Sequence, residues 1–361
     1  MGVTDEKATD RNSVPGGDPR ARRGGADAPN SAGRAGGGQA SSRLRAAFRS
    51  NAGGGVSGGQ PGVGGTPGQG TAAGIYQGGS RFARASGFHR QKMGTGRSKA
   101  TGEAMKTLVT AIQKGGQGKT FATCHLAFDF QERGLRVVVL DFDTQGNATW
   151  TLDAHAVELQ ASELFDKKGP KRIKQVFGAD GVAPDGLAVI GADASLANLE
   201  KMTIPDAAKA LQASIAALDE YFDVCLIDTA PSLGIAMTAA VLASEYMLSP
   251  IELEAYSLQG MKKMVAVIGN LRQANPKLRF LGMVPNKVDA RKPRHVNNLA
   301  ALKEAYPQLI MPFSVGARDS IAEALGEQMP VWRIKKTAAR VAAKEVRAMA
   351  DFVFKKMEIA Q

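Results

Sequence analysis

Residues 106–120 read KTLVTAIQKGGQGKT, and this stretch decides the fold. Its first half, 106–113, is rich in β-branched residues and predicts a strand. Its second half ends in Gly118-Lys119-Thr120, which matches the end of the phosphate-binding pattern G-x-x-x-x-G-K-[ST], although Gln113 replaces the first glycine. Glycine-rich backbone at the start of a helix presents N–H groups and a positive dipole end to an anion. The stretch therefore predicts a strand, a phosphate loop and a helix in succession.

From residue 106 onward, strand and helix patterns alternate along the chain. Continuous apolar runs or β-rich segments predict further strands at 136–141, 223–228, 245–251 and 279–286. Helical patterns are found at 121–133, 206–218, 234–243, 257–274, 296–305 and 337–357. This alternation predicts a doubly wound α/β domain with a mainly parallel sheet, in which ligands bind beyond the carboxyl ends of the strands.

The first 104 residues differ in composition from the rest of the chain. They hold 26 of the 42 glycines, +9 of the total net charge of +12, and only nine Leu, Ile, Val or Phe residues. Such a segment buries too little apolar surface to offset the entropy lost on ordering it. We predict a disordered, basic, glycine-rich leader over 1–104 and a folded domain over 105–361. The Arg–Phe patches at 43–49 and 81–84 either contact nucleic acid or a partner, or belong to a solvated linker arm.

Carboxylates end two of the predicted strands. Asp141 ends the strand at 136–141, Asp143 follows it in a polar turn, and Asp228 ends the strand at 223–228. In a parallel sheet these positions lie at the same edge as the phosphate loop, where carboxylates meet a metal ion and a γ-phosphate. Lys119 is expected to reach the β- and γ-phosphates and Thr120 to ligate Mg²⁺, with Asp228 holding the ion through water.

Several classes of protein are excluded by composition. Cys124 and Cys225 are too few for a disulfide-rich scaffold or a four-cysteine zinc site, and the four histidines show no metal-binding spacing. No run of about 18 apolar residues is present, and the first ten residues lack the apolar region of a secretory signal. We expect a cytoplasmic protein, and the basic charge suggests a polyanionic partner.

Four stretches together resemble the ParA family of partition ATPases, which belongs to the deviant-Walker-A group of P-loop NTPases. They are KGGQGKT at 114–120, DFDTQGNAT at 141–149, VCLIDTAPSLG at 224–234 and PIELEAYSLQG at 250–260. The resemblance covers 105–361 and implies ATP and Mg²⁺ as cofactors and a homodimer that forms with ATP. It also implies binding to non-specific double-stranded DNA of the nucleoid and slow hydrolysis that a ParB-type centromere-binding protein stimulates.

The resemblance also implies roles for individual residues. Lys114 is similar to the signature lysine that crosses the dimer to the partner's phosphates, and Lys114, Lys119 and Asp143 form the predicted catalytic set. Asp143 resembles the carboxylate that orients the attacking water. The predicted metal residues are Thr120, Asp141 and Asp228. The predicted nucleotide contacts are Gly115, Gly116, Gln117, Gly118, Lys119, Thr120, Phe121 and Asn286, the last at the adenine edge. Departures from the family pattern at Gln117, Phe121, Ala122 and Thr144 leave the hydrolysis rate open.

The predicted helix at 337–357 is a candidate polyanion surface. Residues 332–361 hold eight Lys+Arg and three Asp+Glu, and Arg340, Lys344 and Arg347 recur at helical spacing. Ala and Val line the opposite side, at Ala339, Ala343, Val346, Ala350 and Val353. The predicted DNA-binding residues are Arg318, Lys335, Lys336, Arg340, Lys344 and Arg347. The alternative is a solvated helix face.

Two other functions stay open at this level. A MinD-like membrane-cycling ATPase needs a C-terminal amphipathic helix with bulky apolar residues. Here that side is largely Ala and Val, although Phe352, Phe354 and Met357 add bulk, so no stable membrane anchoring is expected. A nucleotide-gated scaffold with little hydrolysis is the second alternative.

Overall fold

The first strand begins directly after Met105. A computed structural model describes residues 103–178, 186–232, 234–253 and 258–359. The predicted leader at 1–104 therefore lies outside the described residues, apart from its last two positions. The Met105 N–H donates to Asp219 Oδ1 at 2.5 Å, and the Lys106 N–H donates to the Asp223 carbonyl at 3.0 Å. The chain enters the sheet from these two contacts.

One parallel sheet of seven strands organises the described residues. The strands are β1 (Lys106–Thr110), β2 (Val137–Phe142), β3 (Ala156–Gln160), β4 (Leu187–Gly191), β5 (Val224–Thr229), β6 (Tyr246–Glu252) and β7 (Arg279–Asn286). Their order is β3-β4-β2-β5-β1-β6-β7. Strand β1 thus lies inside the sheet, between β5 and β6, and the phosphate loop that follows it begins near the middle of the carboxyl edge. The predicted α/β class with a doubly wound parallel sheet is confirmed.

Helices cover both faces of the sheet. The α-helices in the described residues are α1 (Lys119–Glu132), α2 (Asn147–Thr151), α3 (Gly169–Phe177), α4 (Ile204–Leu218), α5 (Ile235–Ala243), α6 (Leu258–Ala274), α7 (Pro293–Ala305), α8 (Asp319–Gly326) and α9 (Thr337–Lys356). On β2, Val137 and Val139 pack into the core that contains α1 and α9, whereas Val138 and Leu140 pack into the core that contains α3, α4 and α5. A strand covered on both faces needs a continuous apolar run, which is why the sequence pattern revealed it.

The element boundaries differ from the sequence pattern where local chemistry decides them. Strand β1 ends at Thr110 rather than at 113, because the chain turns there into the phosphate loop. Helix α4 begins at Ile204 rather than at 206. The Thr203 hydroxyl caps it by accepting the Asp206 N–H at 3.2 Å, and a proline in its first turn needs no N–H partner.

The pattern assigned no elements between 144 and 203. That region contains α2, α3, β3 and β4, together with several 3₁₀ turns. Strand β3 is mostly exposed, so it lacks the apolar run of a buried strand. Helix α8 at Asp319–Gly326 was also not predicted, because eight residues give little periodicity to recognise.

Helix α9 is fixed to α1, the helix that follows the phosphate loop, by a network of ion pairs. The carboxylate of Asp129 on α1 is fully buried and accepts hydrogen bonds from Arg133 and from Arg347 of α9. Arg347 also donates to Glu132. Its guanidinium lies 3.6 Å from the ring centroid of Trp332. The basic stripe predicted from spacing therefore does not continue to Arg347, whose charge is taken up by α1.

The apolar side of α9 is buried in the core. Its buried residues are Ala339, Ala342, Val346, Met349, Ala350, Val353 and Phe354. Ala343, predicted on this side, is only half-buried, because the helix is rotated so that Ala342 and Met349 face inward. Met357 is fully buried, and its carbonyl accepts the Tyr246 hydroxyl at 3.0 Å. Among the helices in the described residues, none has the length and apolar character needed to cross a membrane.

The ion pairs of Arg347 predict that replacing it lowers the free energy of unfolding more than replacing Arg340 of the same helix. Arg347→Ala should lower the free energy of unfolding by about 2 kcal/mol, because it removes a partner of a buried carboxylate. Arg340→Ala, at an exposed position of α9, is the matched control and should change it by less than about 0.5 kcal/mol. Urea denaturation of the two variants and the parent measures both. If the two variants were equally stable, the ion pairs between Arg347 and α1 would not contribute to the stability of the fold.

Candidate nucleotide-binding site

Two glycines give the phosphate loop its shape. Gly116 and Gly118 have φ angles of 76° and 101°, which side chains rarely adopt. A Cβ at Gly118 would lie 2.2 Å from Nδ2 of Asn286. Helix α1 begins directly afterwards, at Lys119. The close approach of the loop to β7 and the helix start beside it form the anion cradle that the sequence predicts.

The backbone of β6 and two side chains at the end of β7 hold this loop in place. Gln117 is 1% exposed, and its Oε1 accepts the Glu252 N–H at 2.7 Å. The Gln117 carbonyl accepts Nδ2 of Asn286 at 2.8 Å, and Lys287 Nζ donates to the Gly116 carbonyl at 2.8 Å. The Gln117 side chain thus joins the loop to β6. The Asn286 amide, predicted to contact adenine, is hydrogen-bonded to the loop itself.

One corner of the site carries the oxygen ligands suited to Mg²⁺. The Thr120 hydroxyl donates to Asp228 Oδ2 at 2.6 Å, and the Thr123 hydroxyl lies 3.4 Å from Asp228 Oδ1. Burial raises the pKa of the Asp228 carboxyl above its ordinary value, and the nearby charge of Asp141 adds to this. A hydroxyl and a carboxylate held this close, at a buried position where a negative charge is costly, form a site that a divalent cation fits.

The pKa of the Lys119 amine is shifted in opposite directions by burial and by nearby carboxylates. Burial lowers its pKa below the ordinary lysine value, while the charges of Asp228 and Asp143 act to raise it. These two carboxylates keep the cation in a buried position that it would otherwise avoid. Polyphosphate oxygens would supply further compensating negative charge at the same place.

Asp141 orders the turn after β2 rather than facing the open cavity. Its Oδ1 accepts the Asp143 N–H at 3.0 Å. Its Oδ2 accepts both the N–H and the hydroxyl of Thr149, each at 2.8 Å. The Thr149 hydroxyl in turn accepts the Ala192 N–H at 2.9 Å. Both oxygens of Asp141, predicted beside the metal, are thus engaged with the protein, and they fix the backbone of Asp143.

Thr149 was not singled out by the motif pattern, yet it joins the turn after β2 to the end of β4. A Cβ at Gly191 would lie 2.8 Å from its Cγ2, so the glycine makes room for it. The only sequence signal was its place in the DFDTQGNAT run, where it is one polar residue among several. Asp141 is only eight residues from Thr149, but Ala192 is 43 residues away and comes close only because β2 and β4 are paired in the sheet.

A single cavity of about 680 Å³ joins these elements. Of the predicted catalytic and nucleotide-contacting residues, those lining it are Gly115, Gly116, Gly118, Lys119, Thr120, Phe121, Asp143 and Asn286. Gln117 and Asp228 lie beneath its surface, and Lys114 is exposed beside it. Its wall also contains residues that the sequence did not suggest for a nucleotide site, among them Trp150, Ile321, Leu325 and Arg318.

The predicted DNA-binding residues fall into two sets. Lys335, Arg340 and Lys344 are exposed. The other three are paired with carboxylates: Lys336 with Glu323 at 2.6 Å, Arg318 with Glu345 at 2.6 Å, and Arg347 with Asp129 and Glu132. The open basic surface, defined here as Lys335, Arg340 and Lys344, is therefore smaller than the predicted one.

Comparison with known proteins agrees with this geometry. A family model described as an AAA domain matches residues 105–280. Protein IncC of Escherichia coli is 63% identical over 363 residues, and the match covers both chains completely. The chromosome-partitioning ATPase Soj of Thermus thermophilus is 31% identical over 192 residues, which cover 52% of this chain and 71% of Soj. A solved structure of a Cyanothece McdA variant in complex with ATP has a TM-score of 0.58 at 26% identity, covering 72% of this chain and 99% of McdA.

The full-length similarity to IncC extends the resemblance seen in the four motifs to the whole chain. The structure agrees with that similarity. It contains a parallel sheet and a phosphate loop, with Lys119, Thr120 and Asp228 at one cavity. On this combined sequence and structural evidence, the chain belongs to the IncC proteins within the ParA family of partition ATPases.

Proposed function

We propose that this chain is an ATP-dependent partition ATPase that binds non-specific double-stranded DNA as an ATP-bound dimer. A ParB-type protein at a centromere stimulates its hydrolysis of ATP and thereby its release from the nucleoid. The observation that carries the proposal is the Thr120–Asp228 contact of 2.6 Å beneath a cavity that also contains Lys119 and Asp143. The relatives named as a partitioning ATPase and as an ATP complex support it.

Binding of ATP follows from the charges around the cavity. The loop N–H groups, the start of α1 and Lys119 attract the phosphates. Thr120 and Asp228 would hold Mg²⁺, which neutralises phosphate charge when bound. Asp143 lines the cavity, and its Oδ1 accepts the Gln145 N–H at 3.0 Å, so the carboxylate has a defined orientation. In the proposed reaction this carboxylate accepts a hydrogen bond from the attacking water and directs it to the γ-phosphate.

Dimerisation is assigned to Lys114. The loop does not need this lysine for its shape, because Gln117 and Asn286 support the loop. Lys114 is exposed, and the contacts found among the described residues include no partner for it. An unpaired cation next to two cavity-lining glycines is suited to phosphates that a second copy of the chain presents.

DNA binding is assigned to the open basic surface of Lys335, Arg340 and Lys344. The contacts among the described residues pair none of these three cations with a carboxylate, so binding a phosphate breaks no ion pair found there. The ion-paired residues Arg318, Lys336 and Arg347 are less suited to that role. The membrane-cycling alternative is disfavoured, because the bulky Phe354 and Met357 are part of the core rather than of an exposed apolar face.

The exposed position of Lys114 predicts a selective loss. Lys114→Ala should abolish dimerisation with ATP, because it removes the cation directed to the second copy, and it should leave nucleotide binding by the monomer nearly unchanged. Light scattering with a non-hydrolysable ATP analogue measures the dimer, and Lys277→Ala, an exposed lysine at the opposite edge of the sheet, is the matched control. A Lys114→Ala protein that dimerises like the control would contradict the cross-subunit role.

Replacing Asp143 distinguishes an ATPase from a nucleotide-gated scaffold. Asp143→Ala should reduce phosphate release at least about 100-fold while retaining ATP binding, because the water-orienting carboxylate is lost. Asp153→Ala, an exposed acidic residue on the next turn, should retain the parent rate. If the parent protein releases no phosphate above the Asp143→Ala background, with or without a ParB-type protein, the scaffold alternative replaces the proposal.

The open basic surface predicts how DNA affinity responds to salt. Arg340→Ala combined with Lys344→Ala should weaken binding equally for all sequences and reduce the slope of log K against log salt by about 2, because each phosphate contact contributes about 0.9. Fluorescence anisotropy with ADP, ATP and a non-hydrolysable analogue measures the affinity, alongside co-sedimentation with anionic vesicles.

The matched control for this pair is Arg272→Ala with Lys277→Ala, which removes the same charge from another exposed region. It should keep the parent affinity and slope. An unchanged slope in the α9 variant would remove α9 from the interface. Sedimentation with vesicles but not with DNA would instead support membrane cycling.

A further inference from the structure

The loop at 315–318 joins the nucleotide cavity to helix α9. Gly316 and Arg318 line the cavity close to the end of β7. The same two residues donate to Glu345 of α9: the Gly316 N–H and Arg318 Nε each reach Oε2 at 3.0 Å, and Arg318 Nη2 reaches Oε1 at 2.6 Å. One carboxylate of α9 therefore binds both a backbone amide and a guanidinium of the cavity wall.

The geometry of this contact leaves little freedom. A Cβ at Gly316 would lie 3.1 Å from Nε and Nη2 of Arg318, so the guanidinium folds back over a glycine to reach Glu345. The two side chains are only 30% and 24% exposed. A two-point contact between a guanidinium and a carboxylate fixes the orientation of both planes, and partial burial makes it less sensitive to salt.

The 315–318 loop is also joined to the phosphate loop by a short path. The Val288 N–H donates to the Val315 carbonyl at 3.0 Å, and the Ala317 N–H donates to the Val288 carbonyl at 3.1 Å. The two residues before Val288 donate side-chain hydrogen bonds to carbonyls of the phosphate loop. Three successive contacts therefore connect the phosphate loop to α9. The loop contacts Asn286 and Lys287, Val288 contacts the 315–318 loop, and that loop contacts Glu345.

We propose that Glu345 is a positioning residue for the nucleotide: it holds Arg318 against the cavity, where the guanidinium contacts the bound nucleotide. Arg318 then belongs to the nucleotide site rather than to the DNA surface. The proposal rests on the proposed function for the identity of the ligand, ATP. It adds a regulatory consequence, because Glu345 directly follows Lys344 of the open basic surface and so joins that surface to the wall of the cavity.

The first test measures nucleotide affinity with a fluorescent ATP analogue and Mg²⁺. Glu345→Gln and Arg318→Ala should each raise the Kd about fivefold, which is about 0.7 of a log unit in affinity. Combining them should weaken binding no further than Arg318→Ala alone, because Glu345 acts through Arg318. Glu358→Gln is the matched control, since it removes the same charge from the two-point Arg279–Glu358 pair, whose residues do not line the cavity.

The second test uses the coupling between ATP and DNA. In Glu345→Gln, the ATP concentration that gives half-maximal DNA binding should rise by the same factor as the Kd for ATP, and DNA affinity at saturating ATP should return to the parent value. Unchanged nucleotide affinity in both single variants, with DNA affinity lost at all ATP concentrations, would overturn the proposal and place Arg318 in the DNA surface.

Two further outcomes are decided by the same measurements. If Glu345→Gln lacks the cooperative melt of the parent, Arg318→Lys replaces it, because a single ammonium keeps the charge but cannot make the two-point contact. That variant must also bind the ATP analogue more weakly than the parent protein does; otherwise the proposal fails. If the parent protein binds no DNA with ATP, the DNA-binding function fails, while the nucleotide affinities still decide the role of Glu345.

Discussion

The attachment of the phosphate loop to β6 and β7 is the contact on which the site depends. The loop contains left-handed glycines and cannot hold its shape by itself. The buried Gln117 side chain binds the backbone of β6, and Asn286 at the end of β7 binds the loop carbonyl from the other side. These hydrogen bonds are intact only when β6 lies in register beside β1 and β7 lies in register beside β6. The cradle is therefore a product of the completed sheet.

The same principle explains the acidic turn after β2. Asp141 and Asp228 come next to one another because β2 and β5 are neighbours in register. Their chemistry differs nevertheless, since Asp141 is bonded to Thr149 and the Asp143 backbone, whereas Asp228 faces the Thr120 hydroxyl. Two carboxylates at equivalent strand ends thus do different work: one orders a turn and the other is suited to hold a cation.

Helix α9, which is 20 residues long, combines three surfaces. Its apolar side completes the core, Arg347 pairs with buried Asp129 of α1, and Arg340 and Lys344 face solvent. Because α1 begins at the phosphate loop, the exposed cations are carried by a helix fixed to the nucleotide site. The proposed dependence of DNA binding on ATP would require a connection of this kind between the exposed cations and the nucleotide site.

The sequence by itself determined the α/β class, the phosphate loop and the strand-end carboxylates, because buried parallel strands need continuous apolar runs and a phosphate cradle needs glycines followed by Lys and Thr. It did not reveal the exposed β3 or the short α8, and it missed β4 although that strand is buried along its five residues. Only the tertiary structure decided the partners of Asp141, Asn286 and Arg347. A residue's type and spacing state what it can bind, but its partner is chosen by strand order and helix packing between residues far apart in the chain.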